Sequence, residues 1–291
     1  MPEEEAWGFE EGDRIAPDLF AQRLLGGGLR YEAYLAWDEV RLAQVVVKVV
    51  RPDQVEDRAA LSGLAREARM VAQLQHPVVV RGFGGVLEGE RPHIVLEFLE
   101  GPRLSTLLRR YGPLALEQAV PLATQLASAL HYMAGQEIAH LDVKPKNVIM
   151  GAPPRLIDLS VARTHREAAQ TSHPIGTDDY MAPEQCEPGK RGTMGGPSDI
   201  WGFGVTVYEG VTGHLPFPAA GDDERFPQLG RSPEPLPTDT VPTPLADLLM
   251  ACLAPDPGAR PTAREVTSEL EPLIEVLPHR PVIGRLRPRL R

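Results

Sequence analysis

Residues 139–158 read AHLDVKPKNVIMGAPPRLID, and the rest of the chain is organised around them. The apolar positions Leu126, Leu130 and Ile138 lead into His140-Leu141-Asp142. Lys144 and Asn147 follow, then a short apolar strand at Val148-Ile149-Met150, a turn, and a second strand ending at Asp158. Two carboxylates therefore sit at the ends of short apolar segments, with an ammonium and an amide between them. Loops and strand ends can hold a reactive side chain on a rigid scaffold and still open it to ligand. Asp142-x-Lys144-x-x-Asn147 offers a base, a cation and a neutral oxygen ligand, and Asp158 adds an anionic oxygen. Hard oxygens beside phosphate are what Mg²⁺ prefers. The set suits phosphoryl transfer, in which a protein mainly positions groups and neutralises charge. Any one of these Asp residues alone would be an ordinary turn residue; the ordered series carries the chemistry.

Upstream, two further features point to the same chemistry. A strand over residues 19–25 meets Gly26-Gly27-Gly28-Leu29-Arg30-Tyr31, and a second strand runs from Glu32 to Trp37. Glycines at such a turn let backbone amides approach phosphates with no Cβ in the way, although most glycine-rich turns only close hairpins. Then comes VVVKVV, residues 45–50. A charge inside a β-branched run must be paired or reach a ligand, because burying it alone is costly. The next segment, 59–75, reads as a helix whose stripe is Leu64, Glu67, Val71 and Leu74. Glu67 therefore lies on the apolar face, where it requires a cation.

Composition limits the alternatives. The chain has 291 residues, enough for two lobes, with 42% hydrophobic and 24% charged residues, as in an ordinary soluble protein. A formal net charge of −10 argues against general nucleic-acid binding. Part of that excess is Glu3, Glu4, Glu5, Glu10, Glu11 and Asp13, read as a solvated N-terminal arm. No apolar run is long enough for a bilayer span, and the acidic start is unlike a signal peptide. The two cysteines, Cys186 and Cys252, lack metal-ligand spacing and fit reduced thiols in the cytoplasm. The eight histidines form no cluster. Against 26 arginines stand four lysines, of which Lys48, Lys144 and Lys146 fall inside motifs and Lys190 does not. Where Arg is the default cation, a Lys marks a need for a compact charge on a flexible stem. Heavy Ala, Pro, Gly and Arg usage points to a GC-rich bacterial genome.

HLDVKPKN resembles the HRDxKxxN catalytic loop of Hanks-type (eukaryotic-like) serine/threonine protein kinases, and IDLS resembles their DFG metal-binding motif. The resemblance covers about residues 15–275. It implies an α+β, two-lobed protein-kinase fold: a small antiparallel β-sheet lobe with one major helix over residues 15–98, and a larger, mainly helical lobe over 99–275. An acidic arm, 1–14, and a basic tail, 276–291, flank it, and the tail is a candidate contact for an acidic partner. The resemblance implies ATP as phosphoryl donor with Mg²⁺ (or Mn²⁺), and Ser or Thr of proteins as acceptor.

Residue by residue, the family pattern LGxGxxGxVYxA matches at Leu25, Gly26, Gly28, Tyr34 and Ala36, with Gly27 between the glycines. Lys48 and Glu67 resemble the pair that holds the ATP phosphates. Ala33, Val46 and Ile149 would line the adenine pocket, backbone groups of Glu97 to Leu99 would bind the adenine edge, and Leu96 would be the gatekeeper. Asp142 would take the substrate proton and Lys144 stabilise the moving phosphoryl group. Asn147 and Asp158 would hold the metal. GTDDYMAPE, 176–184, resembles the end of the activation segment, which also carries Thr164, Thr171 and Ser172. Asp199, on the apolar helix 198–212, would hold the catalytic-loop backbone, and Arg260 would pair with Glu184.

Other elements are read from pattern alone: strands at 78–87 and 93–98, a helix from Leu104, and a long helix at 116–135. In that last helix Pro121 is tolerable near the first turn and otherwise a kink. Residues 218–244 read as a Pro-rich surface excursion. Departures from the family are HLD for HRD, DLS for DFG, Tyr31 for the last loop glycine, and Ala33 and Val46 where the family has Val and Ala. The HRD arginine is the usual partner of an activation-segment phosphate, so Leu141 implies catalysis that does not depend on that phosphate. The alternatives are a pseudokinase acting as a nucleotide-gated scaffold and a small-molecule kinase. The first is opposed by the full set Lys48, Glu67, Asp142, Asn147 and Asp158, and the second by GTDDYMAPE and SDIWGFG.

Overall fold

The computed structural model describes residues 5–218 and 224–277. The first half is one antiparallel sheet built from β1 (Arg14–Ala16), β2 (Leu19–Gly27), β3 (Tyr31–Asp38), β4 (Ala43–Val50), β5 (Gly82–Val86) and β6 (His93–Glu97). Its strand order is β1-β2-β3-β4-β6-β5. Between β4 and β5 lies the helix α1 (Arg58–Gln73), started by Asp57, whose side chain accepts from Ala60 N at 2.7 Å. Its buried stripe is Ala60, Gly63, Leu64, Met70 and Val71, with Glu67 among them.

The strand expected at 78–87 is shorter than its apolar content implied. Only Gly82–Val86 joins the sheet. Val78–Val80 instead exchange backbone bonds with the lower half, Val80 N to Leu156 O at 3.0 Å and Leu156 N to Val78 O at 2.6 Å. A buried apolar run looks the same along the chain whichever partner covers it.

The acidic arm is also more than solvated chain. Glu5, Glu10 and Glu11 are exposed, but Trp7 and Phe9 stack with centroids 5.6 Å apart, and Trp7 Nε1 donates to Val50 O at 2.8 Å. The Arg91 guanidinium sits 5.0 and 5.1 Å from the two rings. Two aromatic side chains, invisible to a charge count, dock the described part of the arm on the sheet. Residues 1–4 lie outside the described chain.

The second half is mainly helical. Its elements are α2 (Leu104–Tyr111), α3 (Leu116–Gly135), β7 (Ile138–Ala139), β8 (Val148–Ile149), β9 (Arg155–Leu156), β10 (Arg163–Thr164), α4 (His165–Ala169), α5 (Pro183–Cys186), α6 (Gly196–Thr212), α7 (Thr243–Cys252) and α8 (Ala263–Glu275). Pro121 falls inside α3 beyond its first turn. The carbonyl it leaves without a donor belongs to exposed Glu117, where water can replace the bond. One apolar cluster runs from Ala60 and Leu64 through Val79 and Leu156 to α3, α6 and α8, so the two halves share a core.

The stretch 218–244 is irregular but not confined to the surface. Gln228, Leu236 and Val241 are buried, and Gln228 Nε2 donates to Asp178 O at 2.8 Å and Met181 O at 3.0 Å. A segment without period can still bury side chains one at a time, and that leaves no pattern to read. Residues 219–223 lie outside the described chain, as does the basic tail from residue 278.

The larger half is pinned by an ion pair with both side chains fully buried, Arg260 to Glu184 at 2.7 and 2.9 Å, as expected from the sequence. Ser198 Oγ donates to the same carboxylate at 2.7 Å. Removing one partner strands a buried charge, which typically costs about 3–5 kcal/mol. Arg260→Ala is expected to lower unfolding stability by about that amount, read from the shift in urea midpoint at unchanged m-value. A loss below about 1 kcal/mol would mean that Glu184 is satisfied without Arg260.

Candidate active site

Three charges meet where the two halves face each other. Lys48, in the middle of β4, reaches Glu67 Oε2 at 2.6 Å and Asp158 Oδ1 at 3.3 Å. Glu67 is 1% exposed, whereas Asp158 is 40% exposed and faces the cleft. Burial disfavours the Lys48 ammonium, but the two carboxylates outweigh it and hold the group above its ordinary value. Burial also opposes ionisation of Asp158. The Lys48 charge, helped by the neighbouring Ser160 hydroxyl, overcomes it and holds that carboxyl down at about 2.

The catalytic-loop backbone hangs on Asp199, at the start of α6. Its carboxylate accepts from His140 N at 2.8 Å and Leu141 N at 2.7 Å. Burial pushes the Asp199 carboxyl up to about 7, against these two donors. Between them they hold Leu141 at φ 63°, a left-handed conformation that costs a leucine about 1–2 kcal/mol. His140 links the loop to β9's exit: Asp142 N donates to its Nδ1 at 3.3 Å, and its Nε2 lies 3.2 Å from Ile157 O. Burial keeps this imidazole neutral by lowering its pKa. The turn delivers Asp142 beside Lys144, 2.6 Å away. Asn147 Nδ2 donates to the Asp142 carbonyl at 2.9 Å and its carboxylate at 3.0 Å, which leaves the side-chain oxygen as the acceptor end of the amide.

The roof of the cleft is the β2–β3 hairpin. β2 continues through Gly27, two residues beyond the expected strand end, and Gly28 N donates to Tyr31 O at 2.9 Å to close the turn. Gly26 has φ +150°, and a Cβ on Gly26 or Gly28 would meet nothing within 4 Å. Gly26 and Gly28 thus present bare backbone at the turn, flanked by the Leu25 side chain and with Gly27 between them. Ala33 pairs directly with Lys48 across β3–β4, and Val46 is two residues further along the same face. At the hinge, Glu97 N is engaged with Arg81 O at 2.9 Å, which narrows the expected backbone contacts there to the Glu97 carbonyl and Leu99. The Glu97 side chain also ties the halves together, taking Arg155 at 3.4 Å. Ile149 bridges Arg103 below it. Gly101 is required here: at φ +128°, a Cβ would collide with the Met150 carbonyl.

Residues 20–270 match the family model described as protein kinase domain. The chain belongs to the protein kinase domain family. It is 33% identical over 238 residues to the serine/threonine-protein kinase PkaA of Streptomyces coelicolor, covering 79% of this chain and 43% of that protein. It is 34% identical over 266 residues to pkn2 of Myxococcus xanthus, covering 85% and 31%. For PrkC of Bacillus subtilis the identity is 29% over 210 residues, covering 71% and 32%. This kinase domain therefore spans less than half the length of these bacterial serine/threonine kinases. Among the described residues no helix is long and apolar enough to cross a membrane.

The kinase domain brings Lys48, Glu67, Asp142, Lys144, Asn147 and Asp158 together as the sequence implied. Linear reading missed the contacts made by two neighbours. Thr177 Oγ1 donates to Asp142 Oδ1 at 2.7 Å and accepts from Lys144 Nζ. Tyr31 reaches α1. Thr177 stood in a recognisable motif, but nothing in that motif states what its hydroxyl touches.

Ala33 and Val46 share one face of the roof with their sizes exchanged relative to the family. Volume-conserving changes are the best tolerated in packed sites. Ala33→Val is expected to weaken ATP binding, and Ala33→Val with Val46→Ala to restore most of it, by titration calorimetry. Equal affinities for the two variants would show that the positions do not share a pocket.

Proposed function

We propose that this kinase domain transfers the γ-phosphoryl group of ATP to serine or threonine hydroxyls of proteins. The observation that supports the reading is the meeting of two charged sets across one cleft: Lys48–Glu67 from above and Asp142–Lys144–Asn147 with Asp158 from below, joined where Lys48 meets Asp158. The unit runs over residues 15–275, with its smaller lobe at 15–98 and its larger lobe at 99–275. A reducing, cytoplasmic setting accords with Cys186 and Cys252, which are free and buried.

In this reading Lys48, oriented by Glu67, grips the α/β-phosphates under the bare backbone of Gly26–Gly28, and Glu97 and Leu99 hold the adenine edge with Ala33, Val46 and Ile149 around it. The residues present fit a divalent cation: Asp158 is ionised and open to the cleft, and the Asn147 amide is held through its Nδ2, which leaves its oxygen as an acceptor. Those two would hold Mg²⁺ (or Mn²⁺), which when bound neutralises phosphate charge. With two oxygen donors from the protein, phosphate and water would supply the rest of its ligands. The substrate oxygen attacks the γ-phosphorus, the bond to ADP breaks, and the hydroxyl proton passes to Asp142. Lys144 follows the negative charge on the moving group. Thr177, bonded to both, sets their spacing.

The test is purified protein with Mg²⁺ and labelled ATP, with and without a generic basic protein, followed by mapping of the modified residues. Labelled Ser or Thr is expected, and Asp142→Asn is expected to lower the rate on the order of 10²–10⁴ while ATP still binds. Nucleotide binding with no transfer by wild type would favour a nucleotide-gated scaffold instead.

The same reading includes independence from activation-segment phosphate. Leu141, 3% exposed, stands where HRD kinases have arginine, and it packs with Ala139, Ala168, Ile175 and Met194. Two of these, Ala168 and Ile175, belong to the activation segment, which apolar burial thereby orders. A resident anion completes the arrangement. Thr164 caps α4 in a capping box with Glu167, and Glu167 meets Arg69 of α1 at 2.8 Å. Burial opposes its charge, but the Thr164 donors and Arg69 outweigh burial and keep Glu167 below the usual carboxylate range. Phosphatase-treated wild type and Thr171→Ala with Ser172→Ala are expected to keep activity on an external substrate within about tenfold, or about 1.4 kcal/mol in the barrier. Thr164 is left intact because its loss would uncap α4. A larger fall in both would restore phosphate control.

A further inference from the structure

Tyr31 stands where the family pattern has its last loop glycine, and it reaches what no glycine can. Side chains alternate along a strand, so Tyr31 shares the cleft face of β3 with Ala33, the cross-strand partner of Lys48. Its ring accordingly lies 5.1 Å from Lys48 Nζ, within the range of a cation–π contact. The hydroxyl goes further and donates to Ala60 O at 2.7 Å, in the first turn of α1. The helix makes room for it. Gly63 sits inside α1, where glycine weakens a helix and no left-handed φ calls for it, yet a Cβ there would collide with the Tyr31 hydroxyl oxygen. One aromatic side chain thus touches the hairpin that roofs the cleft, the ammonium under it and the helix that carries Glu67.

We propose that Tyr31 is a positioning residue, a latch that ties the glycine hairpin to the first turns of α1 and steers Lys48 toward Glu67, with Gly63 as its socket. Seating of the hairpin and engagement of Glu67 then become one event. A family member with glycine at this position has no such tie and must hold the two by other contacts. The catalytic consequence rests on the phosphotransfer reading above; the latch itself does not.

The experiment is a double-mutant cycle of Tyr31→Phe and Gly63→Ala, read by urea unfolding without ligand and by steady-state kinetics in ATP. With Tyr31 present, Gly63→Ala is expected to lower the unfolding midpoint. In the Tyr31→Phe background, where the hydroxyl is gone, the same change is expected to raise it or leave it unchanged, since alanine is the better helix former. Tyr31→Phe is expected to reduce kcat/KM for ATP by about threefold to tenfold, the span of one hydrogen bond, mostly through KM. Tyr31→Gly, which also removes the ring, is expected to reduce it further. Equal midpoint effects of Gly63→Ala in both backgrounds would overturn the latch, whatever the activity. A lower midpoint with KM for ATP unchanged would reduce Tyr31 to a structural contact and overturn the positioning role. Tighter ATP binding by Tyr31→Gly would make the ring an obstacle, and would also overturn it. If wild type transfers no phosphate but the coupling in unfolding is present, the latch stands and the phosphotransfer reading falls.

Discussion

A carboxylate on the buried face of a helix is tolerated only if a cation comes to it. Glu67 imposes that condition on the whole upper half. Its partner Lys48 has to sit mid-strand in β4, so the helix must pack against the sheet at one rotation and one height. Because Lys48 also meets Asp158, the same ammonium carries the condition into the lower half, across the cleft. The sheet, α1 and the end of the catalytic stretch are thereby referenced to one atom. Misplacing any of them leaves a charge without a partner in a poorly solvated place, which makes the arrangement specific as well as stable.

The lower half answers to a similar constraint made from backbone donors. Asp199 takes two successive amides, and the left-handed turn at Leu141 exists because both must point at one carboxylate. That turn aims Asp142. The Glu184–Arg260 pair does for the end of the activation segment what Asp199 does for the catalytic loop. In each case an irregular segment, with no ladder of its own, becomes rigid by binding a buried side chain from a helix or from a distant loop.

Two departures from the family pattern share one character: each brings a contact of its own. Where an arginine would await a phosphate, Leu141 closes an apolar cluster with the activation segment. Where a glycine would keep the hairpin loose, Tyr31 binds the helix. Both contacts are completed by the chain itself.

Reading along the chain was enough to establish the main helices and the identity of the charged set, because these rest on local signals, while the two-lobed architecture followed from the family resemblance that the motifs carry. The stripe through Glu67, the run around Lys48 and the order Asp142, Lys144, Asn147, Asp158 are all visible within short windows. The pairing of Val78–Val80 with Leu156, the docking of Trp7 and Phe9, and the burial of Gln228, Leu236 and Val241 were not. Nor were the contacts of Thr177 with Asp142 or of Tyr31 with Ala60, made between residues far apart in the chain. Periodicity tells which face of an element is apolar and a motif tells which groups are present. Neither carries the coordinates of the surface that comes to cover them, and that was decided only when the halves packed on one another.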